Sequence, residues 1–348
     1  MSISIQKPII LGNFLHGNGE MAWGWWLFEH AQLAIVGDQY RSPRKKIVSG
    51  IAELLNERDP NCVYMISTEK PSCGEQLMFD AISWVEDYPD PPEEYSDRQT
   101  FINNRNFFNS SYFNLYAQKL GIARSQLLPP IRFRPHVEGP LNGYKRAINS
   151  LEGNIPYKED LLNAINQLSQ VPWVHTRDRG RVFYIESSKD IYEQALSFLT
   201  GVWSFWAYTC QTEMPQQMLL IVEIPKDLLR FGVDPVVEKT VLQALKILQY
   251  VSIVTTTTLI LSSDMLYPAP ELQFRYKLIL QTHDSDLDFT NPKVRQFIDP
   301  AVLEEWERGN PNAGIWMDDA ASDPHNARIS IRVGEKQPYI WEDYEIEQ

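Results

Sequence analysis

Residues 31–55 read Ala31-Gln-Leu-Ala-Ile-Val-Gly37-Asp-Gln-Tyr-Arg-Ser42-Pro-Arg-Lys-Lys-Ile-Val-Ser-Gly-Ile-Ala-Glu-Leu-Leu55. The apolar run Gln32–Gly37 predicts a strand, and Gly37 opens a turn. From Lys45 to Asn56 the apolar residues Ile47, Ile51, Leu54 and Leu55 recur at helical spacing. Strand, turn and helix in this order are the layout of a phosphate-binding loop, G-x-x-x-x-G-K-[ST]. Counted from Gly37, the second glycine is Ser42, the lysine is Pro43 and the hydroxyl residue is Arg44. The architecture of an anion-binding turn is expected here without its chemistry.

Working outward, Arg58-Asp-Pro-Asn61 ends the helix and Cys62–Ser67 reads as a second strand. A βαβ unit and a parallel sheet follow. Upstream, residues 3–30 alternate around His16-Gly-Asn-Gly-Glu20, which predicts a β-hairpin. Gly17-x-Gly19-x-x-Ala22 has dinucleotide-loop spacing but lies between two strands, so a turn explains it. Downstream, strands are expected at Arg181–Glu186, Met218–Ile224, Ser252–Thr257 (a β-branched run) and Gln273–Gln281. Long helices are expected at Ile191–Thr209 and Pro235–Gln249. The stretch Gly309–Gly314 turns into Ile315–Met317, and Ala327–Val333 completes an edge hairpin. From Trp341 onward a loose acidic tail is expected.

Residues 76–178 differ in character. They are rich in Pro, Asn and aromatics, with helical patches at Gln76–Trp84, Ser111–Leu120 and Lys158–Gln170. The expected fold class is α/β, with an N-terminal hairpin and a mainly helical insertion. In this division residues 1–75 hold the hairpin and the first part of the core. Residues 76–178 are the insertion, 179–334 the remainder of the core, and 335–348 the tail.

The chain has 348 residues, 43% hydrophobic and 12% aromatic, ample for a buried core. No apolar run approaches the roughly 18 residues of a membrane span. The start of the chain lacks the basic-then-apolar pattern of a signal peptide, so a cytoplasmic protein is expected. Three cysteines (Cys62, Cys73 and Cys210) form no CxxC, and six scattered histidines show no ligand spacing, so no disulfide framework and no metal site are expected. Asp284-x-Asp286-x-Asp288 lacks the glycine and the terminal Glu of a calcium loop. Asp318-Asp319 reads as a pair of solvated turn acids, and no GxSxG elbow occurs. Trp23, Trp25 and Trp26 read first as core or interface packing.

A net charge of −13 opposes broad adhesion to a phosphate backbone. The charge is uneven. Glu86, Asp87, Asp90, Glu93, Glu94 and Asp97 form one acidic block, and Glu335–Gln348 another. Between them lie Lys119, Arg124, Arg132, Arg134, Lys145 and Arg146, followed by Arg177, Arg179 and Arg181. That basic stretch would meet nucleic acid or an acidic protein partner, or remain a solvated surface.

The order of elements resembles the motor domain of the FtsK/HerA family of hexameric DNA-pumping ATPases. Lys7-Pro-Ile-Ile-Leu-Gly12 with Gly17–Gly37 is similar to the family's lead-in hairpin and P-loop strand. Val182–Ala195 through Glu223 resembles the run into the Walker B strand, and Val251–Thr258 resembles the sensor strand. Phe274–Ser285 looks like the family's Arg-led strand, and Leu303–Val333 like its closing β-segment. The resemblance covers roughly residues 7–75 and 180–333, and residues 76–178 match no segment of it. It implies a RecA-like, mostly parallel sheet flanked by helices.

Set against that family's chemistry, Gly37 remains and Ser42, Arg44, Lys45 and Lys46 are the residues left to hold a nucleotide. Pro43 removes an N–H donor. Only Ser42 or Ser49 offers a hydroxyl for magnesium. In the Walker B pattern Met218–Val222 precede Glu223, which would order a metal-bound water. Ile224 fills the place of the catalytic base. Thr258 is the nearest polar residue of the sensor strand, and Arg275 corresponds to an inter-subunit arginine or to a salt-bridged strand-end residue. The expectation is a pseudo-ATPase that needs no cofactor. It would serve as scaffold or regulatory subunit beside a protein partner, such as an active homologue or a ring, in a DNA-processing or DNA-transfer assembly. Two alternatives stand. One is a DNA translocase with a rearranged loop, using ATP and magnesium through Arg44, Lys45 or Lys46 with Glu223. The other is a nucleic-acid adaptor using the basic insertion.

Overall fold

The computed structural model describes residues 7–25, 32–38, 40–58, 62–67, 98–119, 145, 148–149, 158–168, 181–184, 189–211, 218–229, 232–255, 257–264, 272, 274–281, 299–320 and 328–341. The strands are β1 (Ile9–Phe14), β2 (Glu20–Trp23), β3 (Leu33–Val36), β4 (Val63–Ser67), β5 (Arg181–Tyr184), β6 (Met218–Glu223), β7 (Thr257–Ser263), β8 (Tyr276–Leu280), β9 (Ala313–Asp318), β10 (Arg328–Val333) and β11 (Tyr339–Ile340). The helices are α1 (Arg44–Arg58), α2 (Arg98–Lys119), α3 (Lys158–Leu168), α4 (Ile191–Gln211), α5 (Pro235–Val254) and α6 (Pro300–Glu307).

All of these strands join one sheet, in the order β11-β1-β10-β9-β8-β3-β7-β6-β4-β5, with β2 paired to β1. From β8 to β5 every pairing is parallel. β9 turns antiparallel on β8, and β10, β1, β11 and β2 continue antiparallel. The parallel strands are apolar on both faces, as a sheet covered on both sides demands. Leu33, Ile35, Leu219, Ile221 and Ile260 pack with α1 and with Trp23 and Trp25 of the hairpin. Ala34, Leu220, Val222, Leu259 and Leu261 pack on the other face against α2, α4 and α5. The alternation assigns each strand residue to one layer.

The expected hairpin, the β3–α1–β4 unit, and the strands at Arg181, Met218 and Gln273 are all present. Several expectations are corrected. Ser252–Thr257 is not a strand: α5 runs on to Val254, and β7 begins at Thr257. Val251 and Ser252 continue the buried face set by Ala244, Leu245 and Leu248, and helical burial overrides the β-branched composition there. Strand β10 is interior, between β9 and β1, not an edge. Tyr339 and Ile340, expected within the tail, pair with Ile10 and Ile9. α2 starts at Arg98, ahead of the patch expected at Ser111. The patch at Gln76–Trp84 lies outside the described residues.

α2 is no satellite of the core. Its Phe108 is fully buried and stacks on Trp203 of α4, with ring centroids 5.3 Å apart and planes 14° apart. Trp206 lies 5.5 Å from the same ring. α5 is started by Asp234, whose carboxylate accepts the N–H of Val236 at 2.7 Å and of Val237 at 3.4 Å, with Pro235 opening the helix. Among the described residues no helix is long and apolar enough to cross a membrane.

Candidate functional site

The site is assembled at the C-terminal ends of four neighbouring parallel strands. β7 pairs with β3 on one side and β6 on the other, and β4 follows β6. Register sets Val36 opposite Ser263, and Ser262 opposite Glu223. Strands β3 and β6 are therefore two spacings apart, roughly 10 Å, with their ends level. The turn after Gly37 opens above this row and leads into α1. Ser67, Glu223, Ser262 and Asp264 project to the α1 face, because they keep the parity of Met65, Ile221 and Ile260.

The turn is tied down at its base. Gly37 N–H donates to the Ser263 carbonyl at 3.1 Å, and Asp38 N–H to the Gln281 carbonyl at 2.9 Å. A Cβ on Gly37 would stand 2.5 Å from Ser42 Oγ and 2.8 Å from Leu280 Cβ. Close approach, not backbone sign, requires glycine there. Ser42 folds back, its N–H and hydroxyl both donating to the Asp38 carbonyl, at 3.0 and 2.7 Å.

Asp38 carries more of the turn than its place in the motif suggests. Its Oδ1 accepts the N–H of Tyr40 at 2.8 Å and of Arg41 at 2.9 Å. Loop N–H groups of this kind cradle an anion in a working phosphate loop. Here the anion they hold is the chain's own carboxylate.

Arg44, at the position of the expected hydroxyl, is the first residue of α1 and is buried, its side chain 3% exposed. Its Nη2 pairs with Oδ1 of Asp264, 8% exposed, just past the end of β7. Lys45, the next residue, is half-buried. Lys46 Nζ donates to the carbonyl of Gly334, at 2.6 Å. Ser49, the second candidate for a magnesium hydroxyl, donates to the Lys45 carbonyl at 2.8 Å within its own helix. Glu223 is buried and accepts a 2.5 Å hydrogen bond from Ser67. Ile224 packs in the opposite core layer, with Val222 and Leu228.

Other sequence candidates lie elsewhere. Thr258 stands near the start of β7, at the opposite end of the sheet from Gly37, where its hydroxyl donates to the Trp25 carbonyl. The polar residues of that strand beside Gly37 are instead Ser262, Ser263 and Asp264. Arg275 precedes β8, also at the far end, and grips Asp318 with Nε at 3.0 Å and Nη2 at 3.3 Å. The Asp318 hydrogen bond holds its guanidinium above the ordinary arginine range against an opposing burial effect. Asp319 pairs with Lys277. Both acids of the Asp318-Asp319 pair are therefore engaged in ion pairs, and Asp319 stays 47% exposed.

Of the basic stretch, Lys119 pairs with Glu193 at 2.6 Å. Lys145 is exposed and donates to Asn166 at 3.2 Å. Arg181 opens the edge strand β5. Arg124, Arg132, Arg134, Arg146, Arg177 and Arg179 lie outside the described residues, as do Trp26 and the Asp284–Asp288 run. Trp23 and Trp25 are core residues, each 1% exposed. Among the described residues no group of His, Cys, Asp and Glu is arranged to hold a metal.

Sequence reasoning passed over Asp38 and Asp264. Both left a signal. An Asp immediately after a strand-ending glycine favours an Asx-type turn, and an acid closing an apolar strand faces whatever the neighbouring loop presents.

No protein-family model and no curated protein matches the sequence. Among solved structures, VirB4 of Thermoanaerobacter pseudethanolicus aligns with TM-score 0.58 at 14% identity, over 94% of this chain and 96% of that one. The cytoplasmic domain of the Thermomonospora curvata type VII secretion ATPase EccC aligns over 99% of this chain and 30% of that one, at 9% identity and TM-score 0.38. The pCW3 conjugation coupling protein TcpA, in its monomer form with ATPγS, aligns over 97% of this chain and 67% of that one, at 10% identity and TM-score 0.35. The sheet order found here and the match to VirB4 agree: this chain has the mostly parallel, helix-flanked sheet of the RecA-like P-loop ATPases.

Proposed function

We propose that this chain is a non-hydrolysing protein on an ATPase fold, acting as scaffold or regulatory subunit of a DNA-processing or DNA-transfer assembly. The observation that carries the proposal is the buried pair of Arg44 with Asp264. Arg44 stands where a magnesium-holding hydroxyl is needed, and its charge is spent on a carboxylate of the same chain.

Hydrolysis needs a lysine on the outer phosphates, a hydroxyl on magnesium and a base for the attacking water. Pro43 holds the lysine's position, Ser49 is bonded into α1, and Ile224 faces the other core layer. Removal of one group of this type typically costs a factor on the order of 100 or more. Several losses together leave no useful rate. What remains is a rigid sheet with a tied turn, suited to holding partners rather than to cycling.

The assembly half of the proposal draws on the sequence resemblance to DNA-pumping ATPases and on the fold shared with VirB4. In this reading the partner is an active relative or a ring of such subunits, and residues 76–178 supply the specific contacts. The test is steady-state turnover of ATP by purified chain, with and without magnesium and DNA. The expected rate is that of the buffer blank. Robust magnesium-dependent hydrolysis that Lys45→Ala abolishes would reject the proposal in favour of a motor with a rearranged loop.

A further inference from the structure

We infer that Asp38 and Asp264 are resident anions of the loop, standing in for phosphate, and that removing them turns this chain's cradle into a phosphate site. The inference rests on the non-hydrolysing reading above and deepens it, because it says what fills the place of the nucleotide.

An anion site on a strand–turn–helix unit draws on two positive elements: the loop N–H groups and a nearby cation. In this chain each is matched by a carboxylate of the chain itself. The Tyr40 and Arg41 N–H groups converge on Asp38 Oδ1. The Arg44 guanidinium pairs with Asp264, which is 220 residues away in sequence. Asp264 belongs to the row of strand ends that faces α1, and Asp38 stands in the turn that opens above that row.

A second observation concerns the polarity of this buried row. Ser262 is fully buried, and its hydroxyl has no hydrogen-bond partner. It stands opposite Glu223 in register and two residues before Asp264, on the same face. A buried hydroxyl without a partner is uncommon and calls for an explanation. Packed apolar residues would have replaced it had this end of the sheet simply become core. A polar row in which only the carboxylates fill the anion places explains it.

The side chain that fills the turn is also easily removed. Asp38 is half-buried at the turn, and among the described residues it bonds within the turn and to Gln281, so its replacement leaves the strands paired. Tyr40 points out, 81% exposed, and does not close the mouth of the turn.

The experiment compares wild-type chain with Asp38→Ala, Asp38→Asn and Asp264→Asn. Inorganic phosphate is titrated at constant ionic strength, and binding is read by calorimetry and by thermal melting. The inference expects no saturable response from wild type. Asp38→Ala should gain saturable phosphate binding, with a rising melting temperature as the folded state is ligated. Asp38→Asn should not gain it, because its amide oxygen still fills the N–H pair. Asp264→Asn should be destabilised and regain stability with phosphate. If Asp264→Asn does not fold, the Asp38 variants carry the test alone.

A folded Asp38→Ala chain that stays silent to phosphate, beside a silent wild type, overturns this inference and leaves the non-hydrolysing reading standing. Saturable binding and turnover of magnesium ATP by wild type overturns the reading beneath it.

Discussion

Arg44 and Asp264 form an ion pair across 220 residues of sequence, with side chains only 3% and 8% exposed. The pair joins the first residue of α1 to the end of β7.

Breaking such a buried pair from one side strands the other charge. Arg44→Met or Asp264→Leu alone should therefore destabilise the chain by about 3–5 kcal/mol, while the double replacement should recover most of the loss. Urea unfolding of the two single variants and the double variant forms the cycle. Additive losses would mean that the two side chains do not stabilise each other.

Gly37 is fixed by space. Its missing Cβ admits Ser42 Oγ, which a methyl would meet at 2.5 Å. Gly37→Ala should cost about 1–3 kcal/mol through overpacking. In a Ser42→Ala background the added cost of Gly37→Ala should be smaller, since the closer of its two contacts is relieved while that with Leu280 Cβ at 2.8 Å remains. Equal losses in both backgrounds, measured by denaturant melts, would contradict the geometry.

The helix α2 should unfold with the sheet, not before it. Phe108→Ala or Trp203→Ala removes one side of a buried aromatic stack and should cost about 3–5 kcal/mol. Tryptophan fluorescence and far-ultraviolet circular dichroism should report one common transition in the wild type. A separate early loss of helix would show that the segment containing α2 is an independent unit.

Asp299 gives a pH signature. Burial pushes its carboxyl upward, but the Ser330 hydroxyl, the Ala301 N–H at 2.9 Å and His16 outweigh that and hold it below the ordinary carboxylate value of 3.8. A carboxylate depressed in the folded state stabilises above its unfolded pKa, and that contribution is lost as pH falls through the folded one. The stability gap between wild type and Asp299→Asn should thus be present just above the ordinary carboxylate range and shrink progressively as pH falls below about 4. A gap that widens on acidification would reverse the assigned sign.

Much of this architecture was legible because local pattern and tertiary demand coincide. The runs at Leu33 and Met218 are short, apolar and bounded, and α1 repeats its apolar residues at helical spacing. Legibility failed where they diverge. Between Val251 and Thr258 the β-branched residues favour a strand, but Val251 and Ser252 are needed on the buried face of α5. The strand begins only where its register with β6 starts, at Thr257 opposite Met218. Helix α6 was missed although Asp299-Pro300 is a start signal, with Val302 and Trp306 one turn apart on its buried side. At the site, motif counting set Ser42, Pro43 and Arg44 at the second-glycine, lysine and hydroxyl places. The Arg44–Asp264 pair exists only once β7 and α1 are brought together, whereas the Asp38 contacts with Tyr40 and Arg41 are local to the turn.

The central claim is that the cradle is filled by the chain itself and does not take up a triphosphate. Equilibrium dialysis of the wild-type chain against radiolabelled ATP with magnesium tests it most directly. The account predicts equal label on both sides of the membrane at every ATP concentration up to millimolar. Saturable retention near one ATP per chain, lost on Lys45→Ala, would contradict it.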